Sequence, residues 1–194
     1  MLDNFLAQYR AWLPKLSADQ IAALEAHLVL LERWNRTINL TSVKLQSEAV
    51  QKHIGESLFL AEHLPARPLR ICDLGSGGGF PGVPVAIARP DCHVVLIESD
   101  IRKGVFLREA TRKLANVAVL SQRFEAVQGE FDWLISRAVN LSKIASGPVC
   151  PRAAFLGAVD GRITKRTVAS RYRWNAVPVP WNPTGVLSIG ECFT

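Results

Sequence analysis

The sequence predicts an α/β fold, in which a doubly wound, Rossmann-like sheet of mostly parallel strands carries an N-terminal helical segment packed on it. Three observations predict this fold. Residues 1–68 place apolar side chains at helical spacing, and from Leu69 the pattern changes to short β-branched runs separated by helical stretches. A glycine-rich loop follows the first of these runs. Strands that alternate with helices pair in parallel through right-handed crossovers, which produces this architecture.

Length and composition indicate one folded domain. The chain has 194 residues, of which 48% are hydrophobic and 21% are charged. These values are typical of a globular protein and exclude a disordered one. We predict a single domain over residues 1–194, with the helical segment at 1–68 and the sheet core at 69–194. We also expect a monomer.

The sequence carries no signal for a membrane or for an oxidising compartment. No apolar stretch approaches the ~20 residues that cross a bilayer. Asp3 and Arg10 interrupt the first apolar pattern, which argues against a secretory signal. The four cysteines have no C-x-x-C spacing, so we interpret them as reduced thiols that bind no metal. They are Cys72, Cys92, Cys150 and Cys192. The sequence therefore predicts a cytoplasmic protein.

The basic charge is concentrated in the last quarter of the chain. The formal net charge is +6, and residues 141–194 carry +5 of it. Such a segment can attract phosphate groups by neutralising them and releasing their counterions. A solvated basic face is the alternative, and charge by itself leaves both open. The run of cations consists of Arg162, Lys165, Arg166, Arg171 and Arg173.

The N-terminal segment is predicted to form three helices. In the first, apolar residues recur at helical spacing from Phe5 to Leu13, and Pro14 ends the pattern. The second begins at Ser17-Ala18-Asp19-Gln20, which has the form of a capping box, and ends near Trp34-Asn35. The third is predicted over residues 48–64, before Pro65.

The sheet core is predicted to contain five strands with helices between the first of them. Two more strands are possible at 174–179 and 186–189, and Pro178, Pro180 and Pro183 place the first of these at an edge or a bend. The five strands are predicted at 71–74, 93–98, 117–120, 131–136 and 153–159, and the helices at 83–88 and 102–114.

The segment from Asp73 to Gly82 is the most informative part of the sequence. It follows a predicted strand and opens a helix, which is where a doubly wound sheet binds its ligand. Glycine allows the backbone to turn tightly and to approach a ligand closely, and the N–H groups at the helix start favour a negative group. Phe80 stands where a dinucleotide fingerprint needs glycine, and no lysine follows Gly79 as a P-loop requires.

The order of these residues resembles a known motif. Asp73 followed by Gly75, Gly77 and Gly79 is similar to the first motif of class I S-adenosylmethionine-dependent methyltransferases. Glu98 ends the second predicted strand, where a carboxylate can accept both hydroxyl groups of an adenosine ribose. The cofactor expected from this motif is S-adenosyl-L-methionine.

Four segments together resemble one family within that class, the RsmG (GidB) family. Its members methylate N7 of a guanine in the 530 loop of bacterial 16S ribosomal RNA. The resemblance therefore implies that this chain is an enzyme whose partner is 16S rRNA or the small ribosomal subunit. The segments are Trp34–Thr41, His53–Leu58, Asp73–Pro84 and Ile135–Ala138.

The resemblance also implies roles for individual residues. The glycine loop and Glu98 would hold the cofactor, Phe124 and Glu125 would lie at its adenine end, and Arg137 would line the site. Asn35, Asn39 and His53 are candidates either for RNA contact or for bracing the N-terminal helices. The full cofactor set is Asp73, Gly75, Gly77, Gly79, Phe80, Glu98, Phe124, Glu125 and Arg137; the RNA set is Asn35, Asn39, His53, Arg123, Lys165 and Arg166.

Guanine N7 needs no general base, because its lone pair is free and bears no proton. Methyl transfer to it depends on in-line positioning and desolvation. We therefore name Arg137 as the catalytic residue through positioning, since a guanidinium can donate two parallel hydrogen bonds to O6 and a neighbouring acceptor. Ser136-Arg137-Ala138-Val139 lacks the Asn/Asp-Pro-Pro-aromatic motif of enzymes that methylate exocyclic amines.

Two departures from the family pattern leave an alternative open. Glu56 stands behind an unusual Gly55 where the family has Asp before Ser, and no lysine accompanies Gly157 after the fifth strand. A non-catalytic RNA-binding or ribosome-assembly protein that retains the fold would tolerate both changes. A methyltransferase of small molecules or proteins is a further alternative, against which the basic C-terminal segment argues.

Overall fold

The computed structural model describes residues 2–40, 50–139, 147–148, 150–157 and 167–193. Within these ranges it contains five α-helices. A π-helical turn at Val50–Gly55 runs directly into the third of them, and two short 3₁₀ turns lie at Phe124–Ala126 and Val168–Arg171. The helices are α1 (Leu2–Gln8), α2 (Ala18–Asn35), α3 (Glu56–Glu62), α4 (Gly82–Ala88) and α5 (Ile101–Thr111).

Within the described residues, seven strands form a single sheet in the order β3-β2-β1-β4-β5-β7-β6. The first five strands along the chain pair in parallel, and β7 pairs antiparallel with both β5 and β6. The predicted α/β fold with a mostly parallel sheet is therefore confirmed. The strands are β1 (Arg70–Leu74), β2 (His93–Ile97), β3 (Val117–Leu120), β4 (Trp133–Arg137), β5 (Arg152–Leu156), β6 (Tyr172–Pro178) and β7 (Val186–Cys192).

The helix predictions need three corrections, one of which is that the helix predicted over 102–114 ends at Thr111. The first helix ends at Gln8 rather than before Pro14, and Trp12 lies outside it with 45% of its surface exposed. The third predicted helix is a π-helical turn followed by α3, and it ends at Glu62. Apolar spacing did not distinguish the π-helical turn from the α-helix that follows it. Residues 48–49 of that prediction lie outside the described ranges.

The strand predictions are confirmed, with shifts at the ends. β4 begins at Trp133, later than predicted, and extends to Arg137. β6 and β7 both exist, and β6, which ends at Pro178, lies at the edge of the sheet, where a missing N–H disturbs no ladder. Residues 158–159, predicted to end the fifth strand, lie outside the described ranges.

The two faces of the sheet are buried in separate apolar clusters. On β1, Ile71 joins the cluster that contains the helices, whereas Cys72 and Leu74 join the other cluster with Phe124 and Tyr172. This division follows from the alternation of side chains along a strand. Because both faces are covered, the central strands read as continuous apolar runs.

The N-terminal segment packs on the helical face of the sheet. The side chain of Gln20 in α2 donates to the carbonyl of Ile87 at 2.7 Å, and Trp34 Nε1 donates to Glu109 of α5 at 3.0 Å. The capping box of Ser17 and Gln20 is formed as predicted. Leu24 and Leu31 of α2 are fully buried beneath these contacts. The segment is therefore part of the same core as the sheet.

All four cysteines are free thiols. The sulfur atoms of Cys72 and Cys150 lie 3.7 Å apart in the interior. Across the described part of the chain, no group of three or more His, Cys, Asp or Glu side chains could hold a metal ion. No helix in the same ranges has the length and apolar character needed to cross a membrane.

Candidate active site

The glycine loop between β1 and α4 is held by hydrogen bonds to the end of β2. The N–H groups of Gly75 and Ser76 both donate to the carbonyl of Ile97, at 2.9 and 3.1 Å. Ser76 Oγ closes the turn by donating to the carbonyl of Asp73 at 3.1 Å. Gly75, Gly77 and Gly79 have positive φ angles of 68°, 51° and 90°, which glycine adopts without strain. The loop is therefore shaped before any ligand arrives.

The carboxylates of Asp73 and Glu98, both predicted site residues, accept hydrogen bonds from N–H groups of this loop. Asp73 is fully buried, and its Oδ2 accepts from the N–H of Gly82 at 3.1 Å. Glu98 accepts from the N–H of Gly77 at 2.9 Å and from that of Asp100 at 2.8 Å. The N–H groups that we expected to face a negative ligand thus largely donate hydrogen bonds to acceptors within the protein.

A cavity of about 590 Å³ lies above the loop, at the carboxyl ends of β1, β4 and β5. β1 and β4 are neighbours, and the chain leaves them in opposite directions along the sheet, so the cavity lies at the switch point where doubly wound sheets bind ligands. Its walls are formed by Leu40, Lys52, His53, Glu56, Gly75–Gly78, Phe80, Arg137–Val139, Leu156, Gly157, Asn182 and Thr184–Val186.

Arg137 ends β4 and reaches into this cavity between two acceptors. Its Nε donates to Glu56 at 3.3 Å, and its Nη1 donates to Nδ1 of His53. The next residue, Ala138, has a φ of 57°, a left-handed conformation that non-glycine residues rarely adopt. This turn places Arg137 and Val139 on the same cavity. Backbone strain of this kind is concentrated at functional sites.

His53 is neutral in this arrangement. Burial, and after it the positive charge of Arg137, lowers the pKa of His53 to about 3. Its ring stacks on Phe80 with 4.6 Å between centroids and an angle of 18°. Because Arg137 only donates, Nδ1 of His53 must be the accepting nitrogen. His53 therefore holds Arg137 in place and carries no mobile proton at neutral pH.

A second histidine, His27 of α2, fixes the glycine loop from the helical side. Its Nε2 donates to the carbonyl of Gly78 at 2.9 Å. Burial lowers the pKa of His27 to about 4, so the imidazole is neutral. Its ring packs against both Phe80 and Phe106. The N-terminal segment thus contacts the candidate site directly.

Among the predicted residues, the structure brings Gly75, Gly77, Phe80, His53 and Arg137 to the cavity. Asp73, Gly79 and Glu98 belong to the loop or contact it, but they do not line the cavity. Phe124 is buried in the core of the second face, whereas Glu125 and Arg123 are exposed beside it. Asn35 accepts from the N–H of Leu40 at 2.8 Å, and Asn39 is exposed. Lys165 and Arg166 lie outside the described residues.

Sequence reasoning missed four residues that contribute to this region: Glu56, Asn182, Lys52 and His27. Glu56 had a signal, since a carboxylate among the apolar side chains of α3 must find a partner when it is buried. Asn182 had none, because its contact with Glu56 spans 126 positions. His27 was hidden in the apolar stripe of α2, where a histidine usually serves as a core residue.

Solved structures share the fold of this chain. The chain is similar to DhpI bound to SAH, with a TM-score of 0.55 at 13% identity over 87% of this chain and 96% of that one. It is also similar to the 23S rRNA methyltransferase ErmE, with a TM-score of 0.51 at 18% identity over 73% and 67% of the two chains. These likenesses show the fold alone, an α/β fold that this chain shares with both proteins.

The family follows from the sequence comparisons. The family model described as rRNA small subunit methyltransferase G (GidB) matches residues 20–146. The chain belongs to this family. A relative of the same description from Xanthomonas campestris pv. campestris (strain B100) is 37% identical over 170 residues, which is 86% of this chain and 78% of the relative.

Other relatives match more closely over a shorter region. The ribosomal RNA small subunit methyltransferase G of Chromobacterium violaceum is 44% identical over 128 residues, which cover 64% of this chain and 61% of that protein. The protein of the same description from Nitrosococcus oceani is 43% identical, over 64% and 59% of the two chains. The match thus spans less than two thirds of the length of these two relatives.

Proposed function

We propose that this chain transfers a methyl group from S-adenosyl-L-methionine to N7 of a guanine in the 530 loop of bacterial 16S rRNA. The observation that carries the proposal is the cavity at the switch point, where the glycine loop faces an arginine held between a carboxylate and an imidazole. Membership of the rRNA small subunit methyltransferase G family supports the substrate class.

The cavity fits the proposed cofactor. Its volume of about 590 Å³ lies within the range of ordinary ligand sites. A Cβ added to Gly77 would meet no atom closer than 3.8 Å, and one added to Gly157 would meet none within 4 Å. Both glycines line the cavity, so a side chain there would occupy ligand space. Bound S-adenosyl-L-methionine would supply the electrophilic methyl group on its sulfonium.

The residues around the loop suggest how the cofactor is held. Gly75, Gly77 and Phe80 would contact it directly, and Asp73, Gly79 and Glu98 would keep the loop in shape. Exposed Lys52 and the guanidinium of Arg137 place positive charge at the cavity, which suits a ligand carboxylate. We keep Phe124 and Glu125 as candidates for contact with the adenine end of the cofactor. Phe124 is buried in the core, and Glu125 is exposed beside it.

Arg137 would orient the target base. Its Nε and Nη1 are occupied by Glu56 and His53, so the plane of the guanidinium is fixed and Nη2 can donate to guanine O6 or to a phosphate oxygen. Holding the base in line with the methyl group would supply most of the rate. No group in the cluster needs to remove a proton, in agreement with the neutral state of His53.

The partner would be 16S rRNA or the small ribosomal subunit, which the chain would meet in the cytoplasm as a single-domain monomer. We further propose that Asn39, Arg123, Lys165 and Arg166 contact the RNA, whereas buried His53 acts by holding Arg137. Exposed Asn39 and Arg123 are accessible for this role, whereas Asn35 would act by bracing the turn that brings Leu40 to the cavity.

The proposal is tested by methyl transfer from labelled S-adenosyl-L-methionine to small-subunit rRNA or particles that lack the modification, followed by mapping of the labelled base. We expect label at N7 of a 530-loop guanine. Arg137→Ala should lower kcat/KM about a hundredfold, because a loosely held base loses its alignment, while cofactor affinity changes less. Gly75→Asp should abolish cofactor binding, since a Cβ there meets Val139 at 2.7 Å.

Arg67→Ala is the matched control for the loss of one arginine. Arg67 is exposed and pairs with Asp132 near the amino ends of β1 and β4, far along the strands from the cavity, so we expect activity to stay near that of the wild type. If the wild-type chain binds the cofactor but methylates no RNA, the non-catalytic alternative gains support. If it binds no cofactor, the proposed site is wrong.

A further inference from the structure

We propose that Asn182, at the tip of the β6–β7 hairpin, is a positioning residue for Arg137 and acts through Glu56. The inference rests on the proposed function, because it assigns Arg137 to the orientation of the substrate. It adds the C-terminal hairpin to a site that the motifs place between the N-terminal segment and the first four strands.

Glu56 links the two residues. Its Oε2 accepts from Nε of Arg137 at 3.3 Å, and its Oε1 accepts from Nδ2 of Asn182 at 2.8 Å. The Glu56 residue is only 7% exposed, so its charge needs these partners in place of water. If Asn182 were lost, Oε1 of Glu56 would lose its donor. The carboxylate would then rotate toward another donor and weaken its bond with Arg137.

The amide of Asn182 is oriented by its own hairpin. Its Oδ1 accepts from the N–H of Thr184 at 3.3 Å and from Thr184 Oγ1 at 3.1 Å. Since the oxygen is used by these two donors, the NH₂ group is the part that faces Glu56. The hairpin tip therefore presents a donor, and only a donor, to the buried carboxylate.

Aromatic packing holds the hairpin tip against the rest of the site. The ring of Trp181 lies edge-on to Phe5 of α1 and Phe59 of α3, with centroid distances of 5.4 and 5.7 Å. Gly55 makes this possible, because a Cβ there would lie 2.5 Å from Phe5 and 3.1 Å from Trp181. Asn182 follows Trp181 directly, so the packing of the indole ring against Phe5 and Phe59 also sets the position of the Asn182 amide.

Arg137 is consequently held from two sides of the molecule. His53, which lies in the π-helical turn, accepts one hydrogen bond from Arg137. Glu56, which the hairpin residue Asn182 contacts, accepts another. Asn182, Thr184 and Gly185 also form one wall of the cavity. The hairpin would thus fix the guanidinium that faces the substrate and close the cavity around it.

The test exchanges donor and acceptor between Glu56 and Asn182. In Asn182→Asp the side chain keeps its shape and its acceptor for Thr184, but an anionic oxygen replaces the donor that faced Glu56. We expect kcat/KM for RNA methylation to fall about tenfold or more, the effect of one lost hydrogen bond to a charged group, with unchanged affinity for S-adenosyl-L-methionine.

Adding Glu56→Gln to Asn182→Asp restores the pairing in reverse. The Gln oxygen can accept from Arg137 Nε while its NH₂ donates to the new carboxylate, and the net charge of the cluster equals that of the wild type. We expect most of the lost kcat/KM to return, although each single variant is impaired. Asn175→Asp on β6 is the matched control, since Asn175 is exposed on the same hairpin, and it should behave as the wild type.

A readout that needs no RNA separates this inference from the proposed function. The ¹H–¹⁵N resonance of Arg137 Nε, assigned with Arg137→Lys, should be protected from exchange in the wild type and in the double variant, and exposed in Asn182→Asp. If this pattern holds but no RNA is methylated, the proposed function fails and the positioning stands. If the double variant is no better than Asn182→Asp in either readout, the positioning role is wrong.

Discussion

At the level of single residues, Asp73 has an unusual protonation. Burial is the main cause that raises the pKa of Asp73 to about 7; the hydrogen bond from the N–H of Gly82 partly offsets it, and the charge of Glu98 raises it further. Among the described residues, Oδ1 of Asp73 has no hydrogen-bond partner. A carboxyl that is protonated near neutral pH accounts for both observations.

This protonation predicts a pH dependence of folding stability. An unfolded Asp ionises near pH 4, whereas the folded one ionises near pH 7, so stability from Asp73 is complete below pH 4 and is lost as the pH rises through 7. The slope is at most about 1.4 kcal/mol per pH unit. His27 and His53 have lowered pKa values and contribute the opposite slope, because they must be neutral in the folded state.

Asp73→Asn isolates the contribution of Asp73. The free energy of unfolding, measured by urea denaturation from pH 4 to 8, should rise more steeply with pH in this variant than in the wild type. Asp91→Asn is the control, because the hydrogen bond from Arg89 lowers the pKa of Asp91 and its effect belongs below pH 4. Parallel curves for Asp73→Asn and the wild type would contradict the assigned protonation.

At the level of elements, the glycine loop depends on more than its backbone angles. Gly77 and Gly79 both have positive φ, but a Cβ on Gly77 would be 3.8 Å from its nearest atom, whereas one on Gly79 would lie 2.8 Å from Val83 and 2.9 Å from His27. The loop is therefore packed tightly on its α2 side and is open on its cavity side.

The two glycines are expected to respond differently to alanine. Gly77→Ala should cost about 1 kcal/mol of stability, the conformational penalty alone, and should weaken cofactor binding. Gly79→Ala should cost a further 1–3 kcal/mol or so, because the added methyl overpacks the contact with His27. Denaturant unfolding measures both, and equal losses in the two variants would show that the His27 contact can yield.

The hairpin of β6 and β7 is the element whose importance local patterns understate. Its strands were predicted from short apolar runs, but its tip contributes Asn182, Thr184 and Gly185 to the cavity. Only pairing of β7 with β5 brings that tip to the carboxyl ends of the parallel strands. The role of the hairpin therefore follows from its register in the sheet.

At the level of the whole molecule, Gly55 lies where α1 contacts the β6–β7 hairpin. It lies at the end of the π-helical turn with a φ of −57°, so its backbone is ordinary helix and alanine would be favoured there by about 1 kcal/mol. The space for a methyl group is instead occupied by Phe5 and Trp181. Contact between α1 and the hairpin thus depends on the absence of one side chain.

Gly55→Ala should accordingly destabilise the protein by about 1–3 kcal/mol despite its better helix propensity. Combining it with Phe5→Leu, which shortens the ring that the methyl would strike, should recover part of the loss. Phe5→Leu alone provides the reference for the lost aromatic contact. A Gly55→Ala protein more stable than the wild type would mean that the packing at this junction is loose.

The sequence by itself determined the periodic elements, the order of strands and helices, the glycine loop and the arginine at the end of β4. These features are local: apolar spacing, turn chemistry and a motif of a few residues are all written within short segments. They were sufficient to predict the sheet and the place of the cavity, and together with the resemblance to the RsmG (GidB) family they predicted five of the residues that line it, Gly75, Gly77, Phe80, His53 and Arg137.

Only the tertiary structure decided which charges are buried together and what their protonation is. Glu56 and Asn182 meet across 126 positions, and no local pattern relates them. The raised pKa of Asp73 and the lowered pKa of His53 both arise chiefly from burial. Loss of water depends on every segment that packs around a group, so it is set by the complete fold and not by neighbours in the chain.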